Sequence, residues 1–494
     1  MKKCLSAVLV LLLAASFALA EEASSTETPA DALVSLPHSA VIQGETLHYT
    51  STAGMMAVDT AAGNCEIFFT AYTLDGAEDP AARPLTFVFN GGPGSSSQWL
   101  HMGCLGPRRI AFDENGQVAS FPAAIVDNEY SILSLTDLVF IDPVGTGYSR
   151  PAEGVGIEKF VGYANDILSV GDFIRLYTNR YGRWSSPKYL AGESYGTTRA
   201  IGLAQYLADM HSMNLNGIML ISAINDLNLA MESNDNDTVY AVYLPTYAAD
   251  AWYHGRLDAK YQEMALEDFL SEVRTFAGGA YLSALSRGRK LDEATLRETA
   301  ARMAAYTGLD ADQIIKANLR VYCADFCKSL LSDQKLVIGR IDGRYTGPLT
   351  GGDISSGDSD PSSFAMNGIY GAAINQYIGV ELGYQTDRPY ESLSSQVNSL
   401  WSFPQAFGEG FTQEKTIREI MSKNRFLKIW VLCGYYDMAT PFYAAEWVYD
   451  HVFLNKEYES NLQFTYYPSG HMIYMHEPSL AQFRKDAGAW YSGE

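Results

Sequence analysis

Several short apolar runs along the chain show no alternation: Leu85–Phe89, Leu138–Ile141, Tyr189–Ala191, Gly217–Ser222 and Ile429–Cys433. A strand with one wet face alternates apolar and polar residues. Unbroken runs of this length predict strands covered on both faces, as in a parallel sheet. Helical patterns lie between them, with Ile167, Val170, Phe173, Ile174 and Tyr177 recurring at spacings of three and four. Upstream, from about 40 to 72, alternating segments such as Cys65–Tyr72 predict antiparallel strands, and Leu462–Tyr467 reads as a late strand. Strands interleaved with helices predict an α/β fold with a central, mostly parallel sheet flanked by helices.

The strand pattern breaks between about 226 and 365. Helical stretches are expected at 258–274 and 291–318, followed by a Gly/Ser/Asp-rich loop, Gly351–Pro361. We read 226–365 as a mainly helical cap inserted into the core, whose two parts are 35–225 and 366–494. The aromatic residues from Tyr240 to Tyr253 could line a pocket or form core; spacing leaves both open. Residues 21–34, rich in Glu, Ser, Thr, Ala and Pro, read as a flexible leader. Met1–Ala20 has a basic tip, a short apolar stretch and Ala18-Leu19-Ala20, the features of a cleaved signal peptide. The expected location is therefore secreted or periplasmic. No later segment is long and apolar enough to span a bilayer.

Composition narrows the partners. With 494 residues, 47% of them hydrophobic, the chain can bury a large core. Its net charge of −22, made more negative by loss of Lys2 and Lys3 with the signal, argues against nucleic acid and anionic membranes. Beyond the signal lie Cys65, Cys104, Cys323, Cys327 and Cys433. The spacing of Cys323 and Cys327 suits a local disulfide or one face of a helix. No second Cys/His cluster suggests zinc, and no metal or other cofactor is expected. Nothing in the sequence signals an oligomeric state.

The chemistry centres on Gly192-Glu193-Ser194-Tyr195-Gly196, which follows the run Tyr189–Ala191. This is the G-x-S-x-G pattern of a nucleophile elbow, a sharp strand-to-helix turn that lifts a serine hydroxyl clear of the sheet. A serine needs a base, and the base needs a carboxylate to fix its tautomer. Asp437 follows the strand Ile429–Cys433, and His471 follows Leu462–Tyr467, both on Gly-containing turns. His471 is preferred over His476, which lies past the turn, and over His451, which is expected on a helix. Asp437 is preferred over Asp226, whose strand leads into the cap, and over Asp142, which precedes the serine. The Gly-rich segment Asn90–Ser97 after Leu85–Phe89 can bring backbone N–H groups to a substrate carbonyl. The residue after the nucleophile, Tyr195, supplies the other expected donor.

Asn90–Ser97, Asp142–Ser149, Gly192–Gly196 and Gly470–Met472, in this order, resemble the signature blocks of the serine carboxypeptidase family of α/β-hydrolases. The resemblance covers most of 40–225 and 370–490, and its compact insertion and simple signal look more like bacterial members. It implies an α/β-hydrolase fold, peptide substrates and often an acidic optimum. Residue by residue, it implies Ser194 as nucleophile, His471 as base, Asp437 as orienting acid, and the N–H groups of Gly92 and Tyr195 as the oxyanion hole. It also implies that Asn90 and Glu193 bind the substrate's terminal carboxylate, with Glu193 protonated. Two positions depart. Cys104 stands where the family usually has a second glutamate, and Ser95 where it commonly has a cysteine, which implies that this disulfide is absent. Esterase, amidase or acyltransferase activity on the same scaffold is the alternative. A binding protein with an inert site is a third reading, opposed by the intact Ser, Asp and His.

Overall fold

The computed structural model describes residues 33–113, 115–233, 235–349, 359–404 and 410–493. The expected signal peptide, the leader up to residue 32 and most of the loop 351–361 lie outside the described residues. The strands that position the site are β1 (Leu33–Ile42), β2 (Glu45–Thr60), β3 (Gly63–Leu74), β4 (Leu85–Phe89), β5 (Asp137–Ile141), β6 (Lys188–Glu193), β7 (Gly217–Ile221), β8 (Lys428–Gly434) and β9 (Leu462–Tyr467). They form one sheet in the order β1-β2-β3-β5-β4-β6-β7-β8-β9, with the two-residue strand Arg150–Pro151 paired to β3. The first three strands are antiparallel and the run from β5 to β9 is parallel. This is the α/β-hydrolase fold expected from the sequence.

Burial explains the unbroken apolar runs. Every residue of β4, β5 and β7 is buried. In β8, Ile429, Val431 and Cys433 face one core and Trp430 and Leu432 the other. The first core packs against α1 (Tyr163–Arg180) and α2 (Tyr195–His211) and continues into the helices inserted after β7. The second packs against the C-terminal helix Glu477–Ser492 and the short helical turn Leu100–Leu105.

Two expected boundaries move. The leader was expected to reach residue 34, but β1 begins at Leu33, where it pairs with Gly54 of β2. Its mostly exposed pattern hid it, because an outer strand buries too little to show a clear period. The boundary at 365/366 falls inside a helix, α4 (Pro361–Gln376). Met366, Tyr370 and Ile374 of that helix belong to the second core, so the core residues resume at 366 although their helix begins at Pro361.

The insertion carries α3 (Asp237–Tyr253), on which Tyr240, Tyr243 and Tyr247 are buried. Tyr247 stacks on Phe326 at 4.3 Å, so most of this aromatic stretch is core. Cys323 and Cys327 share one face of the helix Cys323–Ser329, and both thiols are free. Among the described residues, no helix is long and apolar enough to cross a membrane.

Trp430 joins the central sheet to the C-terminal helix. It is fully buried, stacks on Phe483 at 5.8 Å and donates Nε1–H to Thr465 Oγ1 at 2.9 Å. Trp430→Ala should cost about 3–5 kcal/mol of stability, read as a lower midpoint in urea unfolding.

Candidate active site

Loops at the carboxyl ends of parallel strands are where α/β sheets collect ligands and reactive groups. Here the ends of β4, β6, β8 and β9 carry Asn90, Ser194, Asp437 and His471. Ser194 sits between Glu193, the last residue of β6, and Tyr195, the first of α2. Its φ of 59° and ψ of −130° are strained for a serine, as expected for a turn this sharp. The backbone around it is crowded. A Cβ on Gly196 would stand 3.0 Å from the Asn90 carbonyl oxygen, and one on Gly91 would stand 2.5 Å from Tyr195 N. Glycine at both positions lets the loop after β4 press directly against the elbow.

A buried ion pair fixes this junction from below. Arg199 Nε donates to Asp166 Oδ2 at 2.8 Å, and its Nη1 donates to the Asn90 carbonyl at 2.6 Å. The Tyr195 hydroxyl donates to the same Asp166 oxygen at 2.8 Å. Arg199 and Asp166 are 1% and 3% exposed, so the pair works at low dielectric and ties α1, α2 and the β4 loop together.

The structure brings Asp437 and His471 together. His471 Nδ1 lies 2.8 Å from Asp437 Oδ2. Asp437 Oδ1 accepts from the N–H groups of Ala439 and Thr440 at 2.8 and 2.9 Å. Thr440 Oγ1 donates to Asp437 Oδ2 at 2.6 Å and lies 3.2 Å from His471 Nδ1. The His471 backbone is anchored as well: its N–H donates to the Ile341 carbonyl at 2.8 Å, and its carbonyl accepts from Ser222 Oγ at 2.6 Å. Burial pulls the imidazole pKa down. The charge and hydrogen bond of Asp437, helped by Glu193, outweigh it and leave His471 above the usual histidine value.

Ser194 and His471 line one cleft of about 920 Å³, together with Asn90, Gly92, Glu193 and Tyr195. Among the described residues the Ser194 hydroxyl makes no hydrogen bond to His471, a looseness common before substrate binds. Neither the Gly92 nor the Tyr195 N–H is used in a loop or turn hydrogen bond among the described residues. Tyr195 N–H is one of the free donors at the start of α2, so the helix dipole adds to its pull on negative charge. Glu193 is buried, and burial lifts its pKa to about 7, more than His471, Tyr474 and Asn90 bring it down.

The rival residues are elsewhere. Asp226 caps a short helical turn and accepts from Asn228 N–H at 2.8 Å. Asp142 is buried and accepts from Ser97 N–H and Oγ, both at 2.8 Å, which anchors the Gly-rich loop. His476 bonds Ser479 Oγ at 2.7 Å, and His451 bonds the Trp447 carbonyl at 2.7 Å. Sequence reasoning missed Thr440, Ser222, Arg199 and Asp166. The spacing Asp437-x-x-Thr440 was a usable signal, since such pairs close a side-chain turn; the other three act only across the fold.

The family profile described as "Serine carboxypeptidase" matches residues 42–479. Serine carboxypeptidase-like 33 of Arabidopsis thaliana is 31% identical over 163 residues, covering 30% of this chain and 32% of the relative. Pheromone-processing carboxypeptidase KEX1 of Yarrowia lipolytica is 30% identical over 183 residues, covering 35% of this chain and 26% of the relative. The chain thus spans less than half the length of these curated relatives. The crystal structure of KEX1(delta)p, a prohormone-processing carboxypeptidase from Saccharomyces cerevisiae, superposes with a TM-score of 0.58 at 17% identity, covering 90% of this chain and 91% of that one.

Removing one partner of the buried pair beneath the elbow should be costly. Asp166→Ala leaves Arg199 buried and unpaired and should lose about 3–5 kcal/mol in equilibrium unfolding.

Proposed function

The chain belongs to the serine carboxypeptidase family, and from that premise we propose that it is a secreted or periplasmic enzyme that removes single residues from peptide C-termini through an acyl-enzyme on Ser194. The observation that carries this reading is the 2.8 Å contact of His471 with Asp437 on the cleft shared by Ser194, Asn90 and Glu193.

In this mechanism His471 Nε2 takes the Ser194 proton as Oγ attacks the carbonyl carbon of the last peptide bond. Asp437 holds Nδ1–H and balances the imidazolium. The N–H groups of Gly92 and Tyr195 receive the oxyanion. The tetrahedral species collapses as His471 passes the proton to the leaving amine, which frees the terminal amino acid. Water, activated by the same histidine, then hydrolyses the ester on Ser194. Asn90 and protonated Glu193 hold the terminal carboxylate, because an ionised Glu193 would repel it.

The two titrations are linked. Glu193 must keep its proton and His471 must lack one. The Glu193 charge is among the causes that raise His471, so protonating Glu193 relieves that pull and lets the base stay neutral in more acid solution. Activity on free-acid peptides should fall on the acid side as His471 protonates, and on the alkaline side as pH rises through about 7 and Glu193 ionises. Amidated peptides have no carboxylate to repel and should show only the acid limb.

The neighbouring Cys104 favours a second reading. A thiol there supplies no second carboxyl to the clamp, and an acyl-enzyme can also serve esterase, amidase or acyltransferase chemistry. N-blocked dipeptides as free acids and as amides separate the two. Strong preference for the free acid, abolished turnover in Ser194→Ala and an alkaline limb confined to the free acid are the expected results. Equal or better turnover of amides and simple esters would move the protein to the second reading.

A further inference from the structure

The Glu193 carboxyl is held unevenly. Its Oε1 accepts from Asn90 Nδ2 at 3.0 Å, and Asn90 Oδ1 accepts from Leu100 N–H at 3.1 Å, which fixes the amide's orientation. Its Oε2 is buried without a hydrogen-bond partner of good geometry, and so is the hydroxyl of Tyr474. The Tyr474 hydroxyl is near enough to the Glu193 carboxyl to act on it as a hydrogen-bonding neighbour and pull its pKa down. Buried polar atoms left unpaired are costly and call for an explanation.

We infer that Tyr474 is a positioning residue for Glu193: its O–H serves Oε2 as a donor and turns the Glu193 proton toward the cleft, where the substrate's terminal carboxylate arrives. This rests on the carboxypeptidase reading above. With Asn90 donating to one oxygen and Tyr474 to the other, both neighbours are donors, and the acid's own proton is left for the substrate.

The backbone makes room for this arrangement. A Cβ on Gly103 would stand 2.5 Å from Tyr474 Cε2 and would also strike the Tyr370 hydroxyl. Gly103 therefore admits the Tyr474 ring beside Glu193. The remaining groups facing Glu193 do not replace it. His471 and Asp437 act on it through charge from the β8 and β9 loops. The Cys104 thiol, pushed up by burial and then by Glu193, stays neutral and is a weak donor. The Tyr370 hydroxyl, on α4, is directed at Met475 Sδ, 3.4 Å away. Tyr474 itself is pushed well above the usual phenol range by burial, so it remains a neutral donor throughout the working range.

Tyr474→Phe tests this while keeping the ring against Gly103. On free-acid dipeptides at acid pH, KM should rise about threefold to tenfold, the usual worth of one hydrogen bond, with kcat little changed. The alkaline limb should move to higher pH, because an ionised Glu193 loses a donor. On the matching amides neither KM nor the pH profile should move. In a Glu193→Gln background, Tyr474→Phe should add no further loss of free-acid preference. Equal effects on acids and amides, or no effect on either, would overturn the inference and leave the carboxypeptidase reading standing. Wild-type enzyme with no preference for the free acid would overturn both.

Discussion

Gly91 lies so close to the elbow that a single methyl group there would stand 2.5 Å from the Tyr195 nitrogen and 2.7 Å from the Glu193 carbonyl. This contact between two backbones sets the distances on which the rest of the site depends. It places Asn90 against Glu193, and it lets Arg199 reach the Asn90 carbonyl from beneath. The sharp turn at Ser194 is strained, and the sheet, α2 and the buried Arg199–Asp166 pair hold it in place.

Electrostatics then divide the cleft into two parts that answer to each other. Asp437 is surrounded by donors and keeps His471 basic. Glu193 sits at the end of a parallel strand, with burial driving it toward the protonated form. A charge on either of Glu193 and His471 alters the other. Glu193 helps to raise His471, and His471 helps to lower Glu193.

The sheet was legible because its central strands are buried on both faces, and runs such as Leu85–Phe89 and Ile429–Cys433 carry that burial in their composition. The elbow was legible because crowding demands glycine on both sides of Ser194. Asp437 and His471 could be named because each follows a late strand on a Gly-containing turn, and the fold brings them within 2.8 Å. Other parts carried no local signal. β1 is largely exposed and shows no clear period. The start of α4 follows residues that gave no apolar rhythm. Arg199 and Asp166 are far apart in sequence and become partners only when α1 and α2 pack. Tyr474 is one more aromatic near His471 until Gly103, on another segment, shows why its ring fits there.

The central claim is that Ser194 is a nucleophile activated by His471, and active-site titration tests it most directly. The mature protein would be treated with a small fluorophosphonate at neutral pH, digested and mapped by mass spectrometry. A single adduct on Ser194, formed stoichiometrically and lost in His471→Ala, is the expected result. No adduct, an adduct on another residue, or labelling undiminished in His471→Ala would contradict it.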